Sequence, residues 1–472
     1  MASTGTRLAR IPSTDAVGNE GKWVLAILCF LLISFELVMR IAGIAERSAY
    51  YAPVGLLVLS AGALLLPKRW AANAALLLFT IAPLPWLAEG AVRWSKQAQD
   101  NQYLNARRQY ALSAGIPFDG RDARTVMEDM RRQGINAWPI VNPTSLIEDR
   151  GDGRNVSLLK SSDGKELLPL SGISNVESVA TNEEGRYLIF RSDEHGFHNP
   201  PGVWQLKSLD LAVIGDSFTF GTAVPSESNL MAPVHRRWPN SLNLGYGGDG
   251  PLLELATMLE YLPQRKPKVV LWMVCEINDF GLDLDREVPS PLLEQYLRER
   301  RPLQNLEARQ NELDSALRAH VERVREKVAK PAALLNDLAP LDRLRNAAYR
   351  LRNPGQERWD KFEQVLGAAR DVVHQWNGKL IVAWLPTRFA FPDRGFLIRR
   401  QMADPNVRMK RMTDIAARLG LPLMNLEPQF EQAGPKLASF VYPYPSHFTA
   451  EGYTAIGNDI VKQLEAGGLL GQ

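Results

Sequence analysis

The sequence has few cysteines and almost no excess of charge of either sign. Its 472 residues include two cysteines, Cys29 and Cys275, which excludes a small scaffold built on disulfides. The 55 Lys and Arg residues nearly balance the 52 Asp and Glu residues, so the chain lacks the basic surface that nucleic-acid binding needs. A hydrophobic content of 45% excludes intrinsic disorder. At about 100–200 residues per domain, this length predicts two or three domains.

Long apolar runs are present, but only near the N-terminus, at residues 23–39, 49–66 and 70–87. Each run is close to the ~17–25 residues that cross a hydrocarbon core of ~30 Å. The distribution of Lys and Arg places the N-terminus in the cytoplasm. We therefore expect residues 1–94 to form a membrane domain with about three transmembrane helices in the plasma membrane. Three crossings place the rest of the chain outside the cytoplasm. The alternative is a re-entrant third run, interrupted by Pro83 and Pro85, which leaves the large domain inside.

Residues 95–205 are predicted to form a linker or accessory region that is partly β. Helical periodicity covers 122–133, with Asp122 as a candidate N-cap. Short apolar runs then alternate with Gly, Asp and Ser clusters, a pattern typical of small strands and hairpins. His195 and His198 suggest a metal pair, but no further ligand lies nearby in the sequence. We therefore expect two packed or solvated histidines there.

From residue 206 to residue 472, short apolar runs alternate with helical segments. The runs lie at 211–215, 241–245, 269–275, 379–385 and 421–426. Strands that are apolar along their whole length belong to parallel sheets covered on both faces. The pattern predicts an α/β domain with a doubly wound, five-stranded parallel sheet. The functional site of such a sheet lies at the carboxyl ends of its strands.

A helical insertion rich in Arg, Glu and Leu covers 283–353. It follows the third strand and therefore emerges on the side of the sheet that carries the site. Two interpretations stay open: a lid or substrate platform whose arginines hold an anionic polysaccharide, or a solvated helical excursion.

Four polar motifs follow strands of this domain or open its last helix. They read GDSFTFG at 215–221, NLGYGGDG at 243–250, EIND at 276–279 and YPSHFTAEGY at 444–453. A serine at a strand-to-helix turn exposes its hydroxyl at the edge of the sheet. Its backbone N–H lies at a helix N-terminus, which favours developing negative charge. The motifs therefore predict acyl transfer, which needs a nucleophile, a base and donors for an oxyanion.

In this order, the motifs resemble the SGNH (GDSL-type) hydrolase superfamily, and the N-terminal runs look like its membrane-anchored bacterial members. The resemblance covers about residues 205–468 and implies an SGNH/flavodoxin-like fold with a periplasmic domain. It implies Ser217 as the nucleophile and His447 as the general base. The oxyanion hole is implied to consist of the N–H groups of Ser217 and Gly248 and the side-chain amide of Asn278. We expect neither a cofactor nor a metal.

One position departs from the family pattern. The family usually carries an aspartate three residues before the histidine, and this chain has Tyr444 there. Losing the orienting carboxylate costs ~10⁴ in rate where a triad depends on it. Three interpretations stay open. A backbone carbonyl orients His447 in a Ser–His dyad, a carboxylate from elsewhere does so, with Glu276 and Asp279 as candidates, or the site is degenerate.

The resemblance implies a serine esterase that acts on an O-acylated carbohydrate, with acetyl as the expected acyl group. The expected partners are that carbohydrate or another ester, the lipid bilayer, and proteins of polysaccharide biosynthesis. One alternative is an O-acetyltransferase of a cell-surface polysaccharide that uses the same site. The other is a polysaccharide-binding component without catalytic activity.

A rival interpretation comes from Gly245, Gly247 and Gly250, whose spacing matches the dinucleotide-binding fingerprint after a strand. Glu276 would then bind the ribose. This interpretation gives no role to the serine, asparagine and histidine of the other motifs, so we expect no nicotinamide cofactor.

Overall fold

The structure is a computed structural model that describes residues 14–41, 48–81, 84–328, 357–391 and 404–470. Within these ranges the chain forms two compact units. The first consists of described residues up to 101 together with 324–328, and the second consists of the remaining described residues.

The first unit is helical. Its helices are α1 (Thr14–Ile41), α2 (Ser48–Leu64), α3 (Lys68–Ile81) and the start of α4 (Leu84–Ser113), which continues into the second unit. Helix α1 packs against α2 and α3 around a small core of Leu25, Ala63, Ala71 and Ala75.

The three predicted membrane spans are not found among the described residues. No helix in those ranges has both the length and the apolar content that a membrane crossing requires. Helices α2 and α3 have 17 and 14 residues. At about 1.5 Å per residue, both are shorter than a hydrocarbon core of ~30 Å.

After the end of α4, the accessory region contains the α-helix α5 (Ala123–Arg132), two short 3₁₀ helices and short strands. The Asp122 carboxylate accepts the Thr125 N–H at 2.7 Å, which confirms the predicted N-cap. A mixed three-stranded sheet has the order β1-β6-β7, and β2–β3 and β4–β5 form antiparallel pairs. The strands are β1 (Ala137–Pro139), β2 (Ile147–Asp149), β3 (Asn155–Ser157), β4 (Leu159–Lys160), β5 (Glu166–Leu167), β6 (Glu177–Val179) and β7 (Ile189–Arg191).

The predicted five-stranded parallel sheet is confirmed. Its strands are β8 (Leu211–Ile214), β9 (Ser241–Asn243), β10 (Val269–Cys275), β11 (Lys379–Leu385) and β12 (Leu423–Asn425). Their order is β12-β11-β10-β8-β9, and every neighbouring pair is parallel. All five lie within the apolar runs of the sequence.

Helices surround this sheet. They are α6 (Ser217–Phe220), α7 (Met231–Arg237), α8 (Pro251–Tyr261), α9 (Leu284–Glu287), α10 (Pro291–Glu299), α11 (Gln310–Val328), α12 (Trp359–His374), α13 (Pro405–Leu419), α14 (Pro428–Glu431), α15 (Leu437–Phe440) and α16 (Ala450–Ala466). A π-helical turn, Asp279–Asp283, follows β10.

Alternate residues of the central strands enter two different cores. In β10, Trp272 and Val274 belong to the core that also contains residues of α8 and α12. Leu271 and Met273 belong to the other core, which contains residues of α7 and α16. Because successive side chains of a strand point to opposite faces, helices cover both faces of the sheet.

Up to residue 323, where its share of the second unit ends, the predicted insertion packs on the accessory region. The Ser174 hydroxyl donates to Asp314 at 2.7 Å, and the Leu168 N–H donates to Gln304 at 2.8 Å. Leu313 and Leu317 of α11 are fully buried. Several arginines of the insertion form ion pairs, including Arg300–Asp371, Arg301–Glu299 and Arg309–Glu312. This part of the insertion therefore joins the core of the second unit. Residues 329–353 of the insertion lie outside the described residues.

Candidate active site

The serine of the first motif opens helix α6 directly after β8. The Asp216 carboxylate caps this helix by accepting the Phe218 N–H at 2.9 Å. Gly215 has no room for a side chain, because a Cβ there would overlap the Thr219 hydroxyl. This tight turn leaves Ser217 partly exposed at the carboxyl end of the strand.

The structure brings Ser217 and His447 together. His447 Nε2 lies 2.8 Å from Ser217 Oγ, although the two residues are 230 positions apart. This distance is within the range over which a general base accepts a proton from a hydroxyl. His447 precedes Thr449, whose hydroxyl caps α16 by accepting the Gly452 N–H at 3.2 Å.

The opposite edge of the imidazole contacts Glu183, a residue that the sequence interpretation did not select. His447 Nδ1 lies 2.9 Å from both Glu183 carboxylate oxygens. The backbone N–H of His447 donates to Glu183 Oε2 at 3.1 Å, and the Ser446 hydroxyl donates to the same oxygen. Because a carboxylate only accepts, Nδ1 carries the proton and Nε2 keeps a lone pair for Ser217. The three side chains have the arrangement of a Ser–His–Glu triad.

The charges of this pair shift both pKa values. Burial lowers the pKa of His447, but the Glu183 carboxylate outweighs burial and, with Asp216, raises that pKa above its usual value. Burial raises the pKa of Glu183, yet the charge of His447 and the hydrogen bonds from His447 and Ser446 bring it to about 2. Glu183 is therefore ionised across the range in which His447 titrates.

The two carboxylates that the sequence suggested as orienters have other partners. Glu276 Oε2 lies 3.4 Å from Arg388 Nη1. Asp279 Oδ2 accepts the Cys275 N–H at 2.7 Å. The carboxylate at His447 Nδ1 comes instead from the loop between β6 and β7. That loop reads TNEEGRY in the sequence, and nothing in its local pattern separates Glu183 from an ordinary surface acid.

Tyr444 holds the loop that carries Glu183. Its hydroxyl donates to the Glu183 backbone carbonyl at 2.6 Å. Its ring stacks on Tyr442 at a centroid distance of 5.4 Å and meets Tyr103 of α4 edge-on at the same distance. Arg107 of α4 donates to the Asn182 carbonyl, one residue before Glu183. Tyr444, at the position where the SGNH pattern has an aspartate, therefore supports a carboxylate from a distant part of the chain.

The glycine loop after β9 lies against the accessory region. Gly248 has a φ of +77°, which favours glycine. A Cβ at Gly248 would lie 2.8 Å from the Thr144 hydroxyl oxygen, and one at Gly247 would lie 2.8 Å from Asn142 Oδ1. Both positions therefore require glycine for conformation or space, and residues 142–144 form a wall beside the predicted oxyanion donor.

Asn278 follows β10 and lies next to the turn of the nucleophile. Its side-chain Nδ2 donates to Asp283 Oδ2 at 2.6 Å and to Asp216 Oδ2 at 3.3 Å. Asp216 directly precedes Ser217, so the structure places the predicted amide donor close to the predicted nucleophile. Both hydrogens of the amide are directed at carboxyl oxygens.

Several carboxyl groups are buried behind the site. Burial and mutual repulsion raise the pKa of Asp249, Glu254 and Asp279 well above the usual values. Burial, opposed by Arg286, raises the pKa of Asp283 to about 7, and burial raises that of Glu287 to about 8. Burial therefore favours the protonated form of these carboxyl groups.

The side chains near the candidate metal group and the dinucleotide fingerprint contact other parts of the protein. Asp216, Cys275 and Asp279 have candidate ligand atoms within 4.8 Å of one another, but all three are buried and both carboxylates accept backbone N–H groups. Side chains of Thr219, Asn142 and Asp283 occupy the space beside the three glycines of the dinucleotide fingerprint.

The two histidines of HGFH contact different partners. His195 Nδ1 lies 3.2 Å from Gln310 Oε1. His198 Nε2 lies 2.7 Å from the Ser226 hydroxyl, and its Nδ1 lies 3.1 Å from the Phe220 carbonyl oxygen. Both are packing residues here, as the absence of further ligands predicted.

Among known proteins, similarity is found to solved structures, at low sequence identity and low TM-score. No family model and no curated protein matches the chain. A solved lipolytic protein of the G-D-S-L family from Desulfitobacterium hafniense is 13% identical (TM-score 0.30), and the match covers 53% of this chain and 97% of that protein. A lipase/acylhydrolase from Enterococcus faecalis is 15% identical (TM-score 0.31), with 55% and 96% covered. An acetyl xylan esterase is 11% identical (TM-score 0.31), with 54% and 98% covered.

Proposed function

We propose that this protein is a serine esterase that hydrolyses acyl esters, with O-acetylated carbohydrate as its substrate class. The observation that carries the proposal is the chain of contacts from Ser217 through His447 to Glu183. It supplies a nucleophile, a base with a fixed tautomer and a buried anion that stabilises the imidazolium. Acetyl and carbohydrate follow from the resemblance of the motifs.

The reaction follows from the geometry. His447 Nε2 takes the Ser217 proton while Ser217 Oγ bonds to the ester carbonyl carbon. The carbonyl oxygen becomes an oxyanion, which the N–H groups of Ser217 and Gly248 and the Asn278 amide stabilise. As the bond to the leaving oxygen breaks, His447 gives that oxygen the proton and the acyl-enzyme remains. Water then loses a proton to His447, attacks the acyl-enzyme and releases the acid, and Ser217 Oγ recovers the proton.

The test is acetate release from acetylated xylan and hydrolysis of 4-nitrophenyl acetate. We expect Ser217→Ala to lower kcat by about 10⁴-fold or more. We also expect a fluorophosphonate probe to label the wild type and not this variant.

Ser226→Ala is the matched control. Ser226 also bonds to a histidine, but the far nitrogen of that histidine contacts a backbone carbonyl rather than a carboxylate. The control should keep wild-type activity and labelling. A folded wild type that neither turns over esters nor reacts with the probe would instead support the polysaccharide-binding alternative.

An O-acetyltransferase shares every step up to the acyl-enzyme. It differs in that a sugar hydroxyl replaces water as the second nucleophile. Adding an unacetylated oligosaccharide during turnover distinguishes the two activities. A hydrolase releases acetate at an unchanged yield, whereas a transferase moves acetyl to the sugar.

We also propose that the N-terminal helices attach the chain to a bilayer, with the esterase domain outside the cytoplasm. Several large apolar side chains of these helices are exposed, including Trp23 (72%), Phe30 (68%) and Val58 (64%). The sequence distribution of Lys and Arg supports the orientation. We expect the full chain in the bacterial membrane fraction, retained after alkaline washing and cleaved by protease added to spheroplasts. Recovery in the soluble fraction would contradict attachment, and protection from protease would contradict the orientation.

A further inference from the structure

We propose that Asp283 is a positioning residue that fixes the Asn278 amide, so that one amide hydrogen is held and the other is offered to the oxyanion. The proposal rests on the esterase function above. It adds a residue that lies outside all four sequence motifs.

The two hydrogen bonds of the Asn278 amide differ in length. The contact from Nδ2 to Asp283 Oδ2 is 2.6 Å, a short and strong bond, whereas the contact to Asp216 Oδ2 is 3.3 Å. The longer bond is the weaker one. A developing oxyanion beside Ser217 can therefore replace Asp216 as the acceptor, while Asp283 keeps the amide in place.

Asp283 also determines which end of the amide faces it. An ionised carboxylate accepts only, so it selects the NH₂ group of Asn278. A protonated carboxyl can also donate, and then it accommodates the amide oxygen equally well. Asn278 Oδ1 is buried and has no hydrogen-bond partner among the described residues, so little else fixes the amide. The rotation that presents nitrogen to the oxyanion thus depends mainly on the contact with Asp283, since the hydrogen bond to Asp216 is longer.

Asp283 is itself held firmly. It ends the π-helical turn after β10 and is 5% exposed. Its Cβ lies so close to Gly250 that any side chain at 250 would overlap it. The charged groups around it are Arg286, at 3.9 Å, and the carboxyls of Asp216, Asp249, Asp279 and Glu287. Arg286 favours the ionised form, and the four carboxyls oppose it.

The test compares Asp283→Asn with Asp283→Leu on 4-nitrophenyl acetate across pH. The asparagine keeps an acceptor without charge, so we expect kcat to fall about 3- to 10-fold, since neutral hydrogen bonds are weaker. The leucine leaves no acceptor, and we expect a loss of about 10²-fold, comparable to the removal of one oxyanion donor. In both variants KM should change less than kcat.

The pH profile separates positioning from a merely structural role. In the wild type, both His447 and Asp283 must be deprotonated, so the acid limb of log kcat/KM should steepen towards a slope of about two. In Asp283→Asn only His447 titrates, and the slope should fall to about one. Asp285→Asn is the control, because Asp285 lies two residues on and pairs with Arg358 at the surface. It should match the wild type in rate and slope.

The outcomes are distinguishable. If Ser217→Ala keeps wild-type activity, the proposed function fails and the inference fails with it. If Ser217→Ala is inactive but Asp283→Asn keeps both the wild-type rate and the steeper slope, the inference alone is overturned. Should Asp283→Leu fail to fold, as judged by its thermal melt, the slope of Asp283→Asn still decides.

Discussion

The parallel-sheet domain and the accessory region contribute to the site in different ways. The sheet domain supplies Ser217 and His447 from motifs that follow a strand or open a helix. The accessory region supplies Glu183 from a loop between two three-residue strands, and its residues 142–144 lie beside Gly248. The serine and the histidine of this contact chain therefore come from the regular sheet domain, and the carboxylate comes from a separate segment of the chain.

The largest effect is expected for Glu183→Gln, which acts on the carboxylate that the accessory region supplies. It keeps the shape of the side chain but removes the charge and the fixed tautomer of His447, so we expect kcat to fall by about 10³- to 10⁴-fold. The carboxylate raises the pKa of His447. Without that charge, the acid limb of kcat/KM should move to lower pH, because His447 loses its proton more readily.

Glu184→Gln is the control for this prediction. Glu184 is the neighbouring acid and pairs with Arg186. Steady-state rates between pH 5 and 9 measure both variants. Activity of Glu183→Gln within about tenfold of the wild type would show that the negative charge of Glu183 is not needed to orient His447.

A smaller effect is expected at Gly248, where the two regions meet. Gly248→Ala forces a side chain onto a φ of +77° and against Thr144. The loop must shift, and we expect kcat/KM to fall by about 10- to 10²-fold through misplacement of the N–H donor.

Gly420→Ala is the control for this prediction. It places an alanine on a positive φ without any contact like that of Gly248 with Thr144. Gly420 has a φ of +65°, and nothing lies within 4 Å of its Cβ position. This variant should lose about 1 kcal/mol of stability at full activity. Equal kinetics of the Gly248 and Gly420 variants would contradict a role for the wall formed by residues 142–144.

The smallest effect concerns Tyr444, which stands where the SGNH pattern that the motifs resemble has an aspartate. Tyr444→Phe removes the hydrogen bond to the Glu183 carbonyl, and we expect a loss of about 1 kcal/mol of unfolding free energy. The loop that carries Glu183 should loosen, with a few-fold lower kcat.

Tyr442→Phe is its partner experiment. The Tyr442 hydroxyl is buried without a hydrogen-bond partner among the described residues, so its removal should be neutral or stabilising. Thermal unfolding of the two variants gives the comparison. If both lose the same stability, the hydrogen bond to Glu183 has no special part in holding the loop.

The strands of the parallel sheet were predictable because each is marked by an apolar run of neighbouring residues. Strands such as Val269–Cys275 and Lys379–Leu385 are apolar along their length and covered on both sides, and the predicted and observed bounds coincide. The pairing of Ser217 with His447 was predictable for a related reason. Parallel strands bring their carboxyl ends to one edge, so motifs at those ends converge.

The contact of Glu183 with His447 was not predictable from the local sequence. Glu183 reaches His447 only because α4, Tyr444 and the short strands of the accessory region fold against the sheet domain. Glu276 and Asp279 lie closer in sequence to the other motifs, yet an ion pair and a backbone N–H engage them. Distance along the chain is a poor guide to distance in space once separate segments pack together.

The five parallel strands, the turn of Ser217 and the histidine before the last helix can be inferred from local sequence, because hydrophobic period and turn geometry are properties of neighbouring residues. The carboxylate that meets His447 and the carboxyl groups that hold Asn278 are set instead by the packing of the folded chain. Those contacts join segments that lie far apart in the sequence or depend on side-chain placement, and the packing of a core brings them within hydrogen-bonding distance.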